Sequence, residues 1–159
     1  MPFHFNTAKL TFFFLTGFLF FIPQSCEKSL DNPVPGTYVN VNINLNNFVL
    51  GVNESMILTN VMTGAQNLGY DNNGIIIFRN DLNEFSAYDR TCPYDIDRGK
   101  SIAVNIDQSK SQFAVCPECQ SVYQLFYSGF PSEGSVSPYP LKMYHTSFNT
   151  NTQNLHIFN

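Results

Sequence analysis

Between residues 38 and 45 every second side chain is apolar: Val39, Val41, Ile43 and Leu45 alternate with Asn40, Asn42 and Asn44. A period of two is that of a β-strand with one dry face and one wet face, and a helix cannot sort these residues into two sides. Short runs of the same kind follow at 75–78, 84–90, 101–106, 112–115, 122–127, 142–147 and 155–158. Turn formers separate them, as in Asp71-Asn72-Asn73-Gly74 and Asn80-Asp81-Leu82-Asn83. The longest break, residues 129–140, holds three prolines and two glycines. Short strands with turns between them predict an antiparallel all-β sandwich or barrel. Only residues 48–58 read as a short helix.

The amino-terminal part is a different polymer. Eight of the 16 Phe fall in the first 21 residues, and residues 10–22 (LTFFFLTGFLFFI) carry no charge. Thirteen residues at helical rise cover about 20 Å, short of the roughly 30 Å hydrocarbon layer, so the run reads as the apolar part of an export signal. Ser25-Cys26 follows, a small residue directly before a cysteine, which is where a bacterial lipoprotein signal is cut. The expected organisation is a signal over 1–25, a polar tether over 26–35 with Cys26 carrying the lipid, and one β domain over 36–159. Such a chain is an exported lipoprotein, anchored in a membrane and facing the periplasm or the cell surface. A plain signal peptide cut nearby and an uncleaved anchor are the alternatives.

Lipidation of Cys26 leaves three thiols, Cys92, Cys116 and Cys119. Cys92-Pro93-Tyr94 ends one expected strand and Cys116-Pro117-Glu118-Cys119 ends another, with 23 residues between Cys92 and Cys116, which suits two ligand loops at neighbouring hairpin tips. The stretches Ala87-Tyr-Asp-Arg-Thr-Cys92-Pro-Tyr-Asp and Phe113-Ala-Val-Cys116-Pro-Glu-Cys119-Gln-Ser121-Val-Tyr123 resemble the two ligand boxes of a Rieske [2Fe–2S] domain. In that family C-x-H and C-x-x-H supply two Cys to one iron and two His to the other. Here Tyr94 and Cys119 stand at the histidine positions. Ser121 and Tyr123 match the residues that hydrogen-bond the cluster's sulfur ligands, and 129–141, with Tyr144 beyond, resembles the Pro-containing lid.

The resemblance implies a Rieske-like antiparallel β-sandwich with two ligand-type loops, a redox protein partner and one-electron transfer. Its site candidates are Cys92, Cys116, Cys119, Tyr94, Ser121 and Tyr123. Three outcomes stay open for the thiols. An altered iron–sulfur cluster could use the three cysteines with Asp95, Asp97 or Tyr94. Zinc could take the three thiolates and one oxygen ligand. A metal-free binding or structural module could close a Cys92–Cys116 disulfide and leave Cys119 free.

His4 lies in the signal, and His145 and His156 fall on other strands as ordinary histidines. Asp89, Asp95 and Asp97, with Arg90 and Arg98, read as a solvated rim around the first box. With 8 Lys+Arg against 12 Asp+Glu and no basic run, the chain lacks the positive face that nucleic-acid binding needs. Nothing in it resembles a Ser-His-Asp triad, a phosphate-cradling Gly loop or a dinucleotide fingerprint, so any catalysis belongs to a partner.

Overall fold

The computed structural model describes Met1 and residues 31–159. The rest of the expected signal and the lipid-bearing Cys26 lie outside the described residues. Ten strands form two antiparallel sheets. The larger has the order β1-β10-β9-β4-β3-β2, with β1 at Asn40–Asn44, β2 at Ser55–Leu58, β3 at Ile75–Arg79, β4 at Phe85–Asp89, β9 at Met143–Asn149 and β10 at Asn154–Phe158. The smaller has the order β5-β6-β7-β8, with β5 at Asn105–Ile106, β6 at Phe113–Val115, β7 at Val122–Gln124 and β8 at Phe130–Pro131. The chain is therefore all-β and antiparallel, as its periodicity requires.

The alternation in β1 is used as written. Val41 pairs with Ile157 and Ile43 with Leu155, and all four are buried, while Asn40 and Asn42 stay exposed. Residues 48–58, expected as a short helix, are not one. Asn53 adopts a left-handed φ of 62°, and β2 then pairs with β3, Leu58 opposite Ile75. A ladder along a fully buried strand satisfies more backbone groups than an isolated turn or two of helix can. The one-turn helix α1 comes later, at Asn60–Thr63.

β3 and β4 are dry on both faces. Ile75, Ile77 and Ala87 point into a core shared with Val41, Ile43, Leu58, Leu155 and Ile157. Ile76, Phe78 and Tyr88 point the other way, into a second core with Ala114, Cys116, Tyr123, Leu125 and Cys92. The small sheet thus lies against the back of β3–β4. Tyr88 pins it there, its buried hydroxyl donating to the Leu125 carbonyl at 2.7 Å.

Packed structure reaches back before Gly36. Val34 is buried, the Asn32 side-chain amide donates to the Pro140 carbonyl, and Lys142 Nζ donates to the Val34 carbonyl, each at 2.8 Å. Among the described residues no helix is long and apolar enough to cross a membrane.

Replacing Tyr88 by Phe strands the buried Leu125 carbonyl. Denaturant unfolding of Tyr88→Phe is expected to show a loss of about 1–3 kcal/mol with an unchanged slope. An unchanged midpoint would mean that this bond does not hold the two sheets together.

Candidate metal centre

Both cysteine boxes sit on the β3–β4 side that faces the small sheet. The first begins where β4 ends. Cys92 N–H donates to the Ile102 carbonyl, and Cys92 caps a one-turn helix, α2 (Pro93–Ile96), with proline at its start. A proline's fixed φ suits that position, where an N–H would lack a partner in any case. The turn carries Asp95 back over Cys92, whose sulfur accepts from the Asp95 backbone N–H.

The second box follows β6. Gln120 N–H donates to the Cys116 carbonyl, and Gln120 itself takes a left-handed φ of 60°, so the chain reverses tightly into β7. Cys116 and Cys119 end on the same side of that reversal. The backbone N–H groups of Glu118 and Cys119 point at the Cys116 sulfur, and that of Ser121 at the Cys119 sulfur.

The result is one pocket. One donor atom from each of Cys92, Asp95, Cys116 and Cys119 lies within 4.8 Å of the others. Cys92 Sγ stands 3.6 Å from Cys119 Sγ, and Cys116 Sγ donates to Asp95 Oδ2 at 2.9 Å. Cys92 and Cys116 are fully buried and Asp95 is 3% exposed. Cys119 is half-buried, the thiol nearest solvent. All three are free thiols, and the Cys92–Cys116 disulfide of the metal-free alternative is not formed.

The hydroxyls of the second box complete the shell. Tyr123 Oη lies 3.3 Å from Cys92 Sγ, and Cys119 Sγ lies 3.2 Å from Ser121 Oγ. Ser121 Oγ also accepts from the Ser137 N–H at 3.1 Å, so the proline-containing loop closes on the pocket through this residue. The loop is held by β8, paired to β7, and by Gly129. Gly129 has a φ of +69°, and a Cβ there would meet the Tyr88 ring at 3.0 Å.

These contacts separate the acidities of the thiols. Hydrogen bonding from Cys116 and Tyr123 outweighs burial at Cys92 and draws it down to about 7. The neighbouring Cys92, burial and the bond to Asp95 push Cys116 up. Burial pushes up both Cys119 and the Tyr123 phenol.

Two parts of the solvated rim are buried structure instead. Asp89 is fully buried and accepts from Tyr70 N–H at 2.7 Å, Thr91 N–H at 2.8 Å and Tyr144 Oη at 2.6 Å. Asp95 belongs to the pocket. Asp97 and Arg98 are exposed as expected, while Arg90 is half-buried and donates to the carbonyls of Asn73 and Val104. Of the two carboxylates offered as a fourth ligand, Asp95 reaches the pocket because its place three residues after Cys92 puts it on the same side of one helical turn.

Tyr94 is partly buried and packs against the core that holds Cys92 and Cys116. Its ring carries the Arg98 guanidinium 3.7 Å from the centroid. His145 and His156 are distant from the pocket: both rings lie against Phe158, and His156 bonds Asn40.

A Rieske cluster needs two imidazoles on its second iron, with donors on opposite irons held apart by the iron–sulfide core. Neither condition is met by four donors within 4.8 Å, three of them thiols. The residues present do not fit that cluster. What they offer is a soft, thiol-rich cage.

The domain is all-β and antiparallel, with two converging cysteine boxes under a closing loop. No family model and no curated protein matches the chain. Among solved structures it is similar to a chain from the complex of reduced oxygenase and oxidized ferredoxin in carbazole 1,9a-dioxygenase. That match has a TM-score of 0.47 and 10% identity, over 76% of this chain and 92% of the other. It is also similar to the ferredoxin of carbazole 1,9a-dioxygenase from Nocardioides aromaticivorans IC177. There the TM-score is 0.44 and the identity 14%, over 77% of this chain and 98% of the other.

In metal-free protein the ultraviolet thiolate absorbance of Cys92 is expected to titrate near pH 7 and to vanish in Cys92→Ser. Because this value lies below the ordinary thiol range, the stability it contributes is full above the unfolded value. That stability is lost as pH falls through about 7. Tyr123→Phe removes a donor and should move the titration to higher pH. An unmoved midpoint would exclude the Tyr123 contact as a cause.

Proposed function

We propose that the chain is the metal-centre domain of an extracytoplasmic redox protein. The lead reading is a carrier that exchanges single electrons with a protein partner through a metal held by Cys92, Cys116 and Cys119. The observation that supports it best is the convergence of both cysteine boxes on one buried pocket, with the Tyr123 and Ser121 hydroxyls in contact with the sulfurs. Buried thiols surrounded by donors are suited to hold a metal in its thiolate form. Cys119 is the thiol nearest solvent, so a partner would meet the centre at the Cys116–Gln120 turn.

Export and lipidation of Cys26 belong to the same reading and are supported by the uncharged run at 10–22 and by Ser25-Cys26. Asn32 and Val34 are fastened to Pro140 and Lys142, so an anchor at Cys26 would hold the domain by that side.

One observation favours a second reading, a structural or binding module without redox work. Among the described residues every buried side-chain nitrogen and oxygen already has a hydrogen-bond partner, and Asp95 has the Cys116 thiol as one.

Full-length protein isolated anaerobically from membranes separates the two. The carrier reading expects iron at the pocket and a reversible one-electron response. Zinc alone, or no metal with full thermal stability, would establish the structural module instead. Mass spectrometry of the same material is expected to find a lipid-modified N-terminal Cys26. An unmodified peptide containing Cys26 and Glu27 would refute the anchor.

A further inference from the structure

We propose that the pocket takes a single thiophilic divalent ion, zinc or iron, bound tetrahedrally by Cys92, Cys116, Cys119 and the Asp95 carboxylate. This rests on the reading of the pocket as a metal centre and adds the number of ions and the fourth ligand.

Spacing is the first argument. Thiolates bound at about 2.3 Å to one tetrahedral ion stand roughly 3.7 Å apart. Cys92 and Cys119 already stand 3.6 Å apart, and no two of the four donor atoms are separated by more than 4.8 Å. A cage of that size has room for one ion at its centre and none for a two-iron core.

Asp95 is the second. Its side chain is 3% exposed, yet among the described residues the sole ion pair is Lys100–Glu118, on the surface. A buried carboxylate is costly unless a cation or strong donors compensate it. Its one hydrogen bond to a neighbouring side chain comes from the Cys116 thiol. That S–H···O contact marks a proton which a metal ion would displace, replacing one shared proton by a bond to each group.

The local backbone is the third. Pro93 sets the start of α2 so that Cys92 and Asp95 face one way, and the turn at Gln120 sets Cys116 and Cys119 to face them. Two of the sulfurs also touch hydroxyls, Cys92 with Tyr123 Oη at 3.3 Å and Cys119 with Ser121 Oγ at 3.2 Å. Hydrogen bonds of this sort orient metal ligands and disperse their charge. Binding releases the thiol protons to solvent and needs no oxidant, reductant or sulfide.

Titration of the reduced, metal-free full-length protein with Co²⁺ as probe tests this. The expected result is saturation at one equivalent, with the intense visible bands of tetrahedral cobalt thiolate, and displacement by one equivalent of Zn²⁺. Asp95→Asn should weaken Co²⁺ binding by at least 10-fold, while Asp97→Asn, at an exposed neighbour, leaves it unchanged. Saturation at one equivalent in the unmodified protein tests the ion count even if Asp95→Asn does not fold. A weak octahedral spectrum, or equal affinity in a folded Asp95→Asn, would overturn the assignment of the ligands. Two irons with sulfide per chain in protein isolated anaerobically would overturn the single ion and leave the metal-centre reading standing. Failure of Co²⁺, Zn²⁺ and Fe²⁺ alike to bind would sink both.

Discussion

The burial of β3 and β4 on both faces is the constraint from which the rest of the molecule follows. Ile75 and Ile77 close one core, Ile76 and Phe78 the other. A strand wet on one side could not seat the small sheet, and without that sheet the second cysteine box would have nothing to bring it to the first. Tyr88 makes the dependence concrete. Its ring fills the second core, its hydroxyl holds Leu125, and its edge sets how closely Gly129 and the closing loop can approach. The pocket is therefore built from the same packing that makes the domain stable.

Within that frame the two boxes bring three thiols and one carboxylate together, a soft and acidic donor set. The Tyr123 and Ser121 hydroxyls are in contact with the sulfurs. Hydroxyls that support sulfur ligands serve a thiol-rich centre as readily as an iron–sulfur one. The closing loop still reaches Ser121 through Ser137.

Much of this was legible in the residues. The alternation in 38–45 needed no tertiary information, because a period of two has one structural solution. The three cysteines were legible by spacing. Asp89 was not: near a loop rich in charge it reads as solvated, and only the contacts from Tyr70, Thr91 and Tyr144 show it to be interior. Asp95 was one of three oxygen candidates beside Asp97 and Tyr94, and the Cys116 contact singles it out. The segment 48–58 failed for a related reason. Its local pattern tolerates a helix, and the open ladder of β3 decides against it. Val34 looked like tether and is core, since nothing local announces Asn32 binding Pro140 across the chain.

The number of metal atoms in the pocket and the atoms that surround them distinguish a single ion from a cluster. X-ray absorption at the metal edge of protein isolated anaerobically reads both at once. The prediction is a sulfur shell at about 2.3 Å with one oxygen at about 2.0–2.2 Å and no neighbouring metal. A short metal–metal vector with bridging sulfide would contradict it.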